Sequence, residues 1–282
     1  STLNEGGGMN MITNTLNAIE PKLTHTVGPP GFWPLFSLIF LTSVAPFAMP
    51  QLVQKFYAIR DRKSIKTGMI ASTFFALLIG GVAYFIGSTT RIFLSPDDPS
   101  FAHVFNNGVP IYDRLMPELL AKVIPESLSV IILLLILSAS MSTLAALVLI
   151  SSSSLTKDFY HGFINKKASD QKLTRLMRYA SAFFVFLSVM LAWLDLDTIV
   201  AILGISWGAL GSFFLGPFIW GMLMKKAGKT GAIASGTIGL ATCLILYAAG
   251  MPSPSAGTIG MIVSLALNPI ISFMVPQTDQ GV

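Results

Sequence analysis

The chain has 282 residues, of which 53% are hydrophobic and 11% charged, with a mean hydropathy of +0.71 and a formal net charge of +5. Soluble domains carry about 25% charged residues, so composition excludes a soluble globular fold and points to an integral membrane protein. The apolar residues fall in continuous runs rather than in alternating segments of about ten residues, which excludes a β-barrel.

Seven stretches are long enough to cross about 30 Å of hydrocarbon as helices: 31–58, 68–90, 127–150, 175–194, 198–224, 230–250 and 256–275. Ahead of them, residues 1–30, with Gly6 to Gly8 and Met9, read as an external loop entering a helix, and the chain begins with Ser, so it is expected to be the C-terminal part of a longer protein. The first stretch carries Pro46 and Pro50 inside Thr42-Ser43-Val44-Ala45-Pro46-Phe47-Ala48-Met49-Pro50-Gln51. An interior proline removes a backbone bond at a cost of about 3 kcal/mol in a regular helix. Two readings stand: a proline kink, and a helix broken near the membrane midplane where irregular backbone lines a cavity.

Between the second and third spans, residues 91–126 form a longer external loop, in which Ile111 to Val123 has the apolar spacing of an interfacial helix. Leu155 to Lys172 reads as a basic cytoplasmic linker and Asp195-Leu196-Asp197 as a tight external turn. The fifth span holds Gly204, Gly208, Gly211 and Gly216 with Pro217; Gly204 and Gly208 form a small-xxx-small pair suited to close helix packing, with Ser206 and Trp207 beside it. Asn268-Pro269 predicts a kink in the seventh span, and residues 276–282 form a cytoplasmic tail.

Charge sets the orientation. Basic residues concentrate after the first span (Lys55, Arg60, Arg62, Lys63, Lys66), between the third and fourth (Lys157, Lys166, Lys167, Lys172, Arg175, Arg178) and between the fifth and sixth (Lys225, Lys226, Lys229), so 14 of the 18 share one side. The positive-inside rule makes that side cytoplasmic, with the N-terminus outside and the C-terminus inside. The net positive charge is therefore a matter of topology and not of nucleic-acid binding. The single cysteine, Cys243, lies in a span and permits no internal disulfide.

The third span contains Ser138-Ala139-Ser140-Met141-Ser142-Thr143 within an uncharged run, followed by Ser151-Ser152-Ser153-Ser154-Leu155-Thr156-Lys157-Asp158-Phe159-Tyr160. Ala139, Ser142 and Thr143 stand at i, i+3 and i+4 and share a helix face. Two hydroxyls and a carbonyl converging there suit a hard monovalent cation if another helix supplies the remaining ligands. The alternative is that the hydroxyls bond back to carbonyls of their own helix. The spans are essentially free of Asp, Glu, Lys and Arg, and His25, His103 and His161 lie in loops, which leaves a proton relay, an embedded Ser–His protease and a metal cluster unsupported. Phosphate-binding motifs are absent, which argues against an ATP-driven pump.

These segments resemble the sodium/solute symporter family, which includes bacterial transporters for proline, pantothenate, monocarboxylates and sugars. The resemblance rests on Met49-Pro50-Gln51-Leu52-Val53-Gln54-Lys55-Phe56, on Ala139-Ser140-Met141-Ser142-Thr143-Leu144 with Ser152 to Tyr160, and on Ser206-Trp207-Gly208 leading to Gly216-Pro217. It implies an all-α integral membrane protein of the inverted-repeat, LeuT-like transporter fold: the second repeat plus two additional C-terminal helices, seven transmembrane helices in all. It further implies that the Ala139 carbonyl and the Ser142 and Thr143 hydroxyls are sodium ligands. By the same match Ser43, Phe47 and Met49 of the broken helix line the substrate cavity with Ser206 and Trp207, the last as part of an outer gate.

The broken helix lacks the aromatic–polar pairs of sugar carriers, which favours an organic acid or amino acid over a sugar. The implied function is non-enzymatic: sodium-coupled symport of a small organic solute by alternating access, in a cell membrane, the bacterial inner membrane by family flavour. The implied partners are the solute, the sodium ion, the lipid bilayer and an N-terminal repeat of the same protein that this chain does not contain. An ion channel, a seven-helix receptor and an intramembrane enzyme are the competing classes.

Overall fold

A computed structural model describes residues 8–49, 52–53, 59–94, 98–106, 109–194, 198–224 and 227–275. Pro50 and Gln51, the Gln54–Phe56 part of the first motif, the Asp195–Asp197 turn and the tail 276–282 lie outside the described residues. Helices follow in the order α1 (Met9–Ile19), α2 (Phe32–Val44), α3 (Arg62–Phe93), α4 (Tyr112–Val123), α5 (Glu126–Ser153), α6 (Asp170–Trp193), α7 (Ile199–Leu223), α8 (Lys229–Ala248) and α9 (Ser253–Met274). A two-stranded antiparallel hairpin, β1 (Phe105–Asn106) and β2 (Val109–Pro110), precedes α4.

Among the described residues, six helices are long and apolar enough to cross a membrane, and Phe32–Ala48 is a shorter apolar helix. The stretch 31–58 is thus not one membrane-length helix. α2 ends at Val44, a 3₁₀ turn runs Ala45–Ala48 with Pro46 in its first positions, and Met49 is extended at φ −84°, ψ 113°. Proline cannot donate to the preceding turn, and its ring crowds it, so the helix stops where Pro46 enters. The region 1–30, expected as a loop, contains α1. Its Ile12 and Leu16 are buried while Met9 and Met11 stay exposed, the pattern of an amphipathic surface helix.

The chain divides into two units, Ser1–Asp113 with Thr198–Val282, and Arg114–Asp197. In the first unit α7, α8 and α9 pack through glycine. A Cβ on Gly208 of α7 would stand 2.6 Å from the Cα of Gly257 on α9, closer than side-chain carbons come. Backbones approach this closely only when both partners lack side chains, the device that membrane helices use where lipid removes any hydrophobic drive to associate. Polar pairs add to it: Ser253 Oγ donates to the Ala201 carbonyl (2.8 Å), Ser212 Oγ to the Gly257 carbonyl (3.3 Å) and Asn268 Nδ2 to Ser235 Oγ (3.0 Å).

Two prolines sit inside these helices, Pro217 in α7 and Pro269 in α9. Pro269 frees the Leu265 carbonyl, and the Trp220 indole N–H of α7 donates to that oxygen at 2.7 Å. Pro217 likewise frees the Phe213 carbonyl, and Gly236 of α8 brings its backbone against it, where a Cβ would lie 2.7 Å from the oxygen. At Pro269 a neighbouring helix thus re-satisfies what the proline releases.

In the second unit α5 continues beyond the expected end at 150. It passes into a π-helical segment, Ser154–Ile164, so the first part of the expected linker is helical. Ser181 Oγ of α6 contacts Ser152 Oγ at 3.0 Å, tying the end of α5 to α6. No sequence signal marks the wider π pitch, which is rare and concentrates near functional segments.

Candidate functional site

The broken helix is seated in the first unit against α7 and α9. Leu41, Ala45, Ala48 and Met49 form a buried cluster with Leu215 and Met261, and Trp207 packs against its edge. Hydroxyls fix the register. Thr258 Oγ1 of α9 donates to the Ser37 carbonyl at 3.0 Å, and Ser255 Oγ meets Ser37 Oγ at 3.4 Å. Ser37 is fully buried, and it is one of the residues sequence reading passed over. The available signal was the Ser255-x-x-Thr258 spacing on a glycine-rich helix, which marks a face made for close contact but does not name its partner.

The five residues expected at the substrate cavity separate into two groups. Ser43 and Phe47, four residues apart, are exposed, Phe47 to 53%. Met49 is 1% exposed and Trp207 half-buried, and both belong to the packed cluster rather than to an open surface. Ser206 is exposed, with its Oγ donating to the Ile202 carbonyl at 2.8 Å. The arrangement therefore offers a hydroxyl and an aromatic ring on the open flank of the break. A thioether and an indole hold the break from behind.

The hydroxyl face of α5 lies within the second unit. Ala139, Ser142 and Thr143 are all exposed on this chain. Thr143 Oγ1 donates to the Ala139 carbonyl at 3.2 Å. A carbonyl oxygen has two lone pairs, and in a helix one already takes an N–H four residues on, so this hydroxyl occupies the second. Thr143 Oγ1 retains acceptor capacity of its own, and no bond of the Ser142 hydroxyl is seen among the described residues. The face thus carries neutral oxygen donors, the class that suits hard cations.

Charged groups gather at helix ends. Asp61 caps α3 by accepting from the Ser64 N–H at 2.7 Å, and this bond holds its carboxyl below the usual carboxylate range. Asp113 Oδ2 accepts from the Ile199 N–H at 3.2 Å at the start of α7.

The model of the sodium:solute symporter family matches residues 1–239. The osmoregulated proline transporter OpuE of Bacillus subtilis (strain 168) is 26% identical over 278 residues, which is 95% of this chain and 53% of that protein. The high-affinity proline transporter PutP of the same strain is 27% identical over 256 residues, 87% of this chain and 50% of that protein. The sodium/pantothenate symporter of Haemophilus influenzae is 26% identical over 251 residues, 87% of this chain and 49% of that protein. The chain spans about half the length of the curated relatives it matches. No solved structure matches it.

Proposed function

The chain belongs to the sodium:solute symporter family, and from that premise we propose that it is part of a secondary transporter that couples inward sodium movement to uptake of a small organic solute. An amino acid or organic acid is the solute class, with proline and pantothenate the first candidates because relatives are named for them. The observation that carries the reading is the family match over residues that include both the helix break and the neutral oxygen face of α5.

In this proposal Ser142 and Thr143 supply hydroxyl ligands to sodium and Ala139 its carbonyl. The Thr143–Ala139 hydrogen bond is the resting state that the ion displaces: the hydroxyl hydrogen turns away, and both oxygens face the cation. The ligands are neutral, so the ion keeps its charge through the cycle and responds to membrane potential. One sodium moving down 100 mV releases about 2.3 kcal/mol, enough for roughly a fifty-fold solute gradient before any concentration term. Ser43 and Phe47 contact the solute, Ser206 borders the cavity, and Met49 and Trp207 brace the break. Alternating access follows by movement of repeats about a midplane site, in an inverted-repeat fold completed by the rest of the protein.

The test is uptake by the whole protein in proteoliposomes, offering proline, pantothenate, acetate, pyruvate and glucose with and without an inward sodium gradient. Sodium-stimulated accumulation of one solute is expected. Thr143→Val, which keeps shape and removes the hydroxyl, should raise the sodium concentration needed for half-maximal uptake about tenfold or more, whereas Thr143→Ser should stay near wild type. Unchanged sodium dependence in Thr143→Val would remove the ligand assignment. Sodium flux without solute accumulation would favour a channel.

A further inference from the structure

We propose that the π-helical end of α5 and the start of α6 form a binding surface for anionic phospholipid in the cytoplasmic leaflet. The inference rests on the topological reading above, which puts this end of the second unit inside the cell.

Two features coincide there. Lys157, Lys166, Lys167, Lys172, Arg175 and Arg178 are all exposed, against only Asp158 and Asp170 between positions 157 and 178. None of the six is ion-paired with a described acidic residue. The same segment also exposes apolar side chains where a water-facing connection would be polar: Leu155 at 41%, Phe159 at 55% and Phe163 at 81%. They recur every four residues along the π-helix, and the Phe159 and Phe163 rings lie 6.3 Å apart, so they form one stripe.

The opposite side of this segment is inward, since Ser152 and Thr156 are fully buried and Ser152 meets Ser181 of α6. The Lys172 ammonium sits over the Tyr160 ring at 5.6 Å, joining the π segment to the first turn of α6. The stripe is therefore held outward by packing behind it.

An aromatic stripe on a segment whose cations have no acidic partner among the described residues complements a lipid with an anionic head and apolar tails. Phosphates meet the lysines and arginines at the surface, where anionic lipids attract basic segments. Phe159 and Phe163 lie against the upper acyl chains, where amphipathic and aromatic groups settle. A free phosphate would leave the stripe unused, and an acidic protein partner would leave it facing the bilayer edge.

The experiment uses the whole transporter in neutral detergent, with its unfolding temperature read after adding phosphatidylglycerol or phosphatidylcholine at equal mole fraction. Phosphatidylglycerol should stabilise the wild type more. That difference should fall by at least half in Lys157→Gln/Lys166→Gln/Lys167→Gln, persist in the corresponding Lys→Arg variant, and vanish in about 0.5 M salt, where the Debye length is only ~4 Å. Phe159→Ser/Phe163→Ser should lose it as well.

An equal lipid response in the wild type and the Gln variant would overturn the proposal. So would stabilisation by glycerol phosphate alone, which marks a free-phosphate site. Should the Gln variant not fold, intact-protein mass spectrometry of the wild type decides: salt-sensitive preference for phosphatidylglycerol supports the site, and no preference overturns it. The assay needs no transport and is blind to sidedness, so its failure and the failure of the symporter reading are separately visible.

Discussion

At the scale of single residues, the first unit is held by the absence of side chains as much as by their presence. Gly208 faces Gly257 so closely that one added carbon must push α7 and α9 apart. Gly208→Ala should cost about 1–3 kcal/mol, as overpacking does, measured as lost stability in detergent. Gly68→Ala in α3, where nothing lies within 4 Å, should cost nothing. The hydroxyls divide in the same way. Thr258 Oγ1 has a partner in the Ser37 carbonyl, and Thr258→Val should cost about 1 kcal/mol. Ser264 Oγ is buried with no hydrogen-bond partner among the described residues, so Ser264→Ala should be neutral or stabilising by up to about 1 kcal/mol. Equal losses from both substitutions would show that hydroxyl pairing is not what separates them.

At the scale of elements, the prolines explain both a break and two continuities. Pro46 stands where α2 gives way to a 3₁₀ turn, whereas Pro217 and Pro269 sit in helices that run on. At Pro269 a neighbour supplies the missing bond: Trp220 takes up the Leu265 carbonyl that Pro269 releases. Trp220→Phe keeps an aromatic ring and removes the donor. It should cost about 1 kcal/mol and speed amide exchange in α9 just after Pro269.

Helix ends carry the pH response. The native pKa of Asp61 is lowered by the Ser64 N–H bond, so the cap stabilises α3 above the ordinary carboxylate value of about 3.9. It is lost as pH falls through the lower folded value. Exchange of the first α3 amides, corrected for intrinsic rate, should therefore rise on acidification in the wild type. In Asp61→Asn, a good cap that does not titrate, it should stay flat.

At the scale of the whole molecule, the distribution of lysine and arginine makes a prediction independent of transport. With cysteines introduced singly into the whole protein, Ser169 should react with an impermeant reagent only from the cytoplasmic face, and Ser100 only from outside. Reversed labelling would invert the topology while leaving the helices as they are. The same distribution accounts for the basic stretch of the second unit, where six exposed cations lie along the segment of chain that carries an aromatic stripe.

Membrane helices are legible because bilayer thickness imposes a length and lipid an apolar composition, both local properties of the chain. The stretches read at 68–90, 175–194, 198–224, 230–250 and 256–275 accordingly fall within or close to α3, α6, α7, α8 and α9. The family was legible too, since its motifs are contiguous. α1 was missed because glycines around its start hide an amphipathic pattern that has only Ile12 and Leu16 to bury. The π-helical continuation of α5 was hidden because its lysine and aspartate read as a solvated linker. Sequence alone thus determined where the long apolar segments lie, which end of each is basic, and which oxygens share a face of α5. Only tertiary structure decided that Met49 and Trp207 turn into a packed cluster while Ser43 and Phe47 stay open, that Gly208 finds Gly257, and that Trp220 repairs Pro269. The physical reason is that composition and period are written along one segment, whereas the partner of a freed carbonyl or a bare glycine lies many residues away and is chosen by packing.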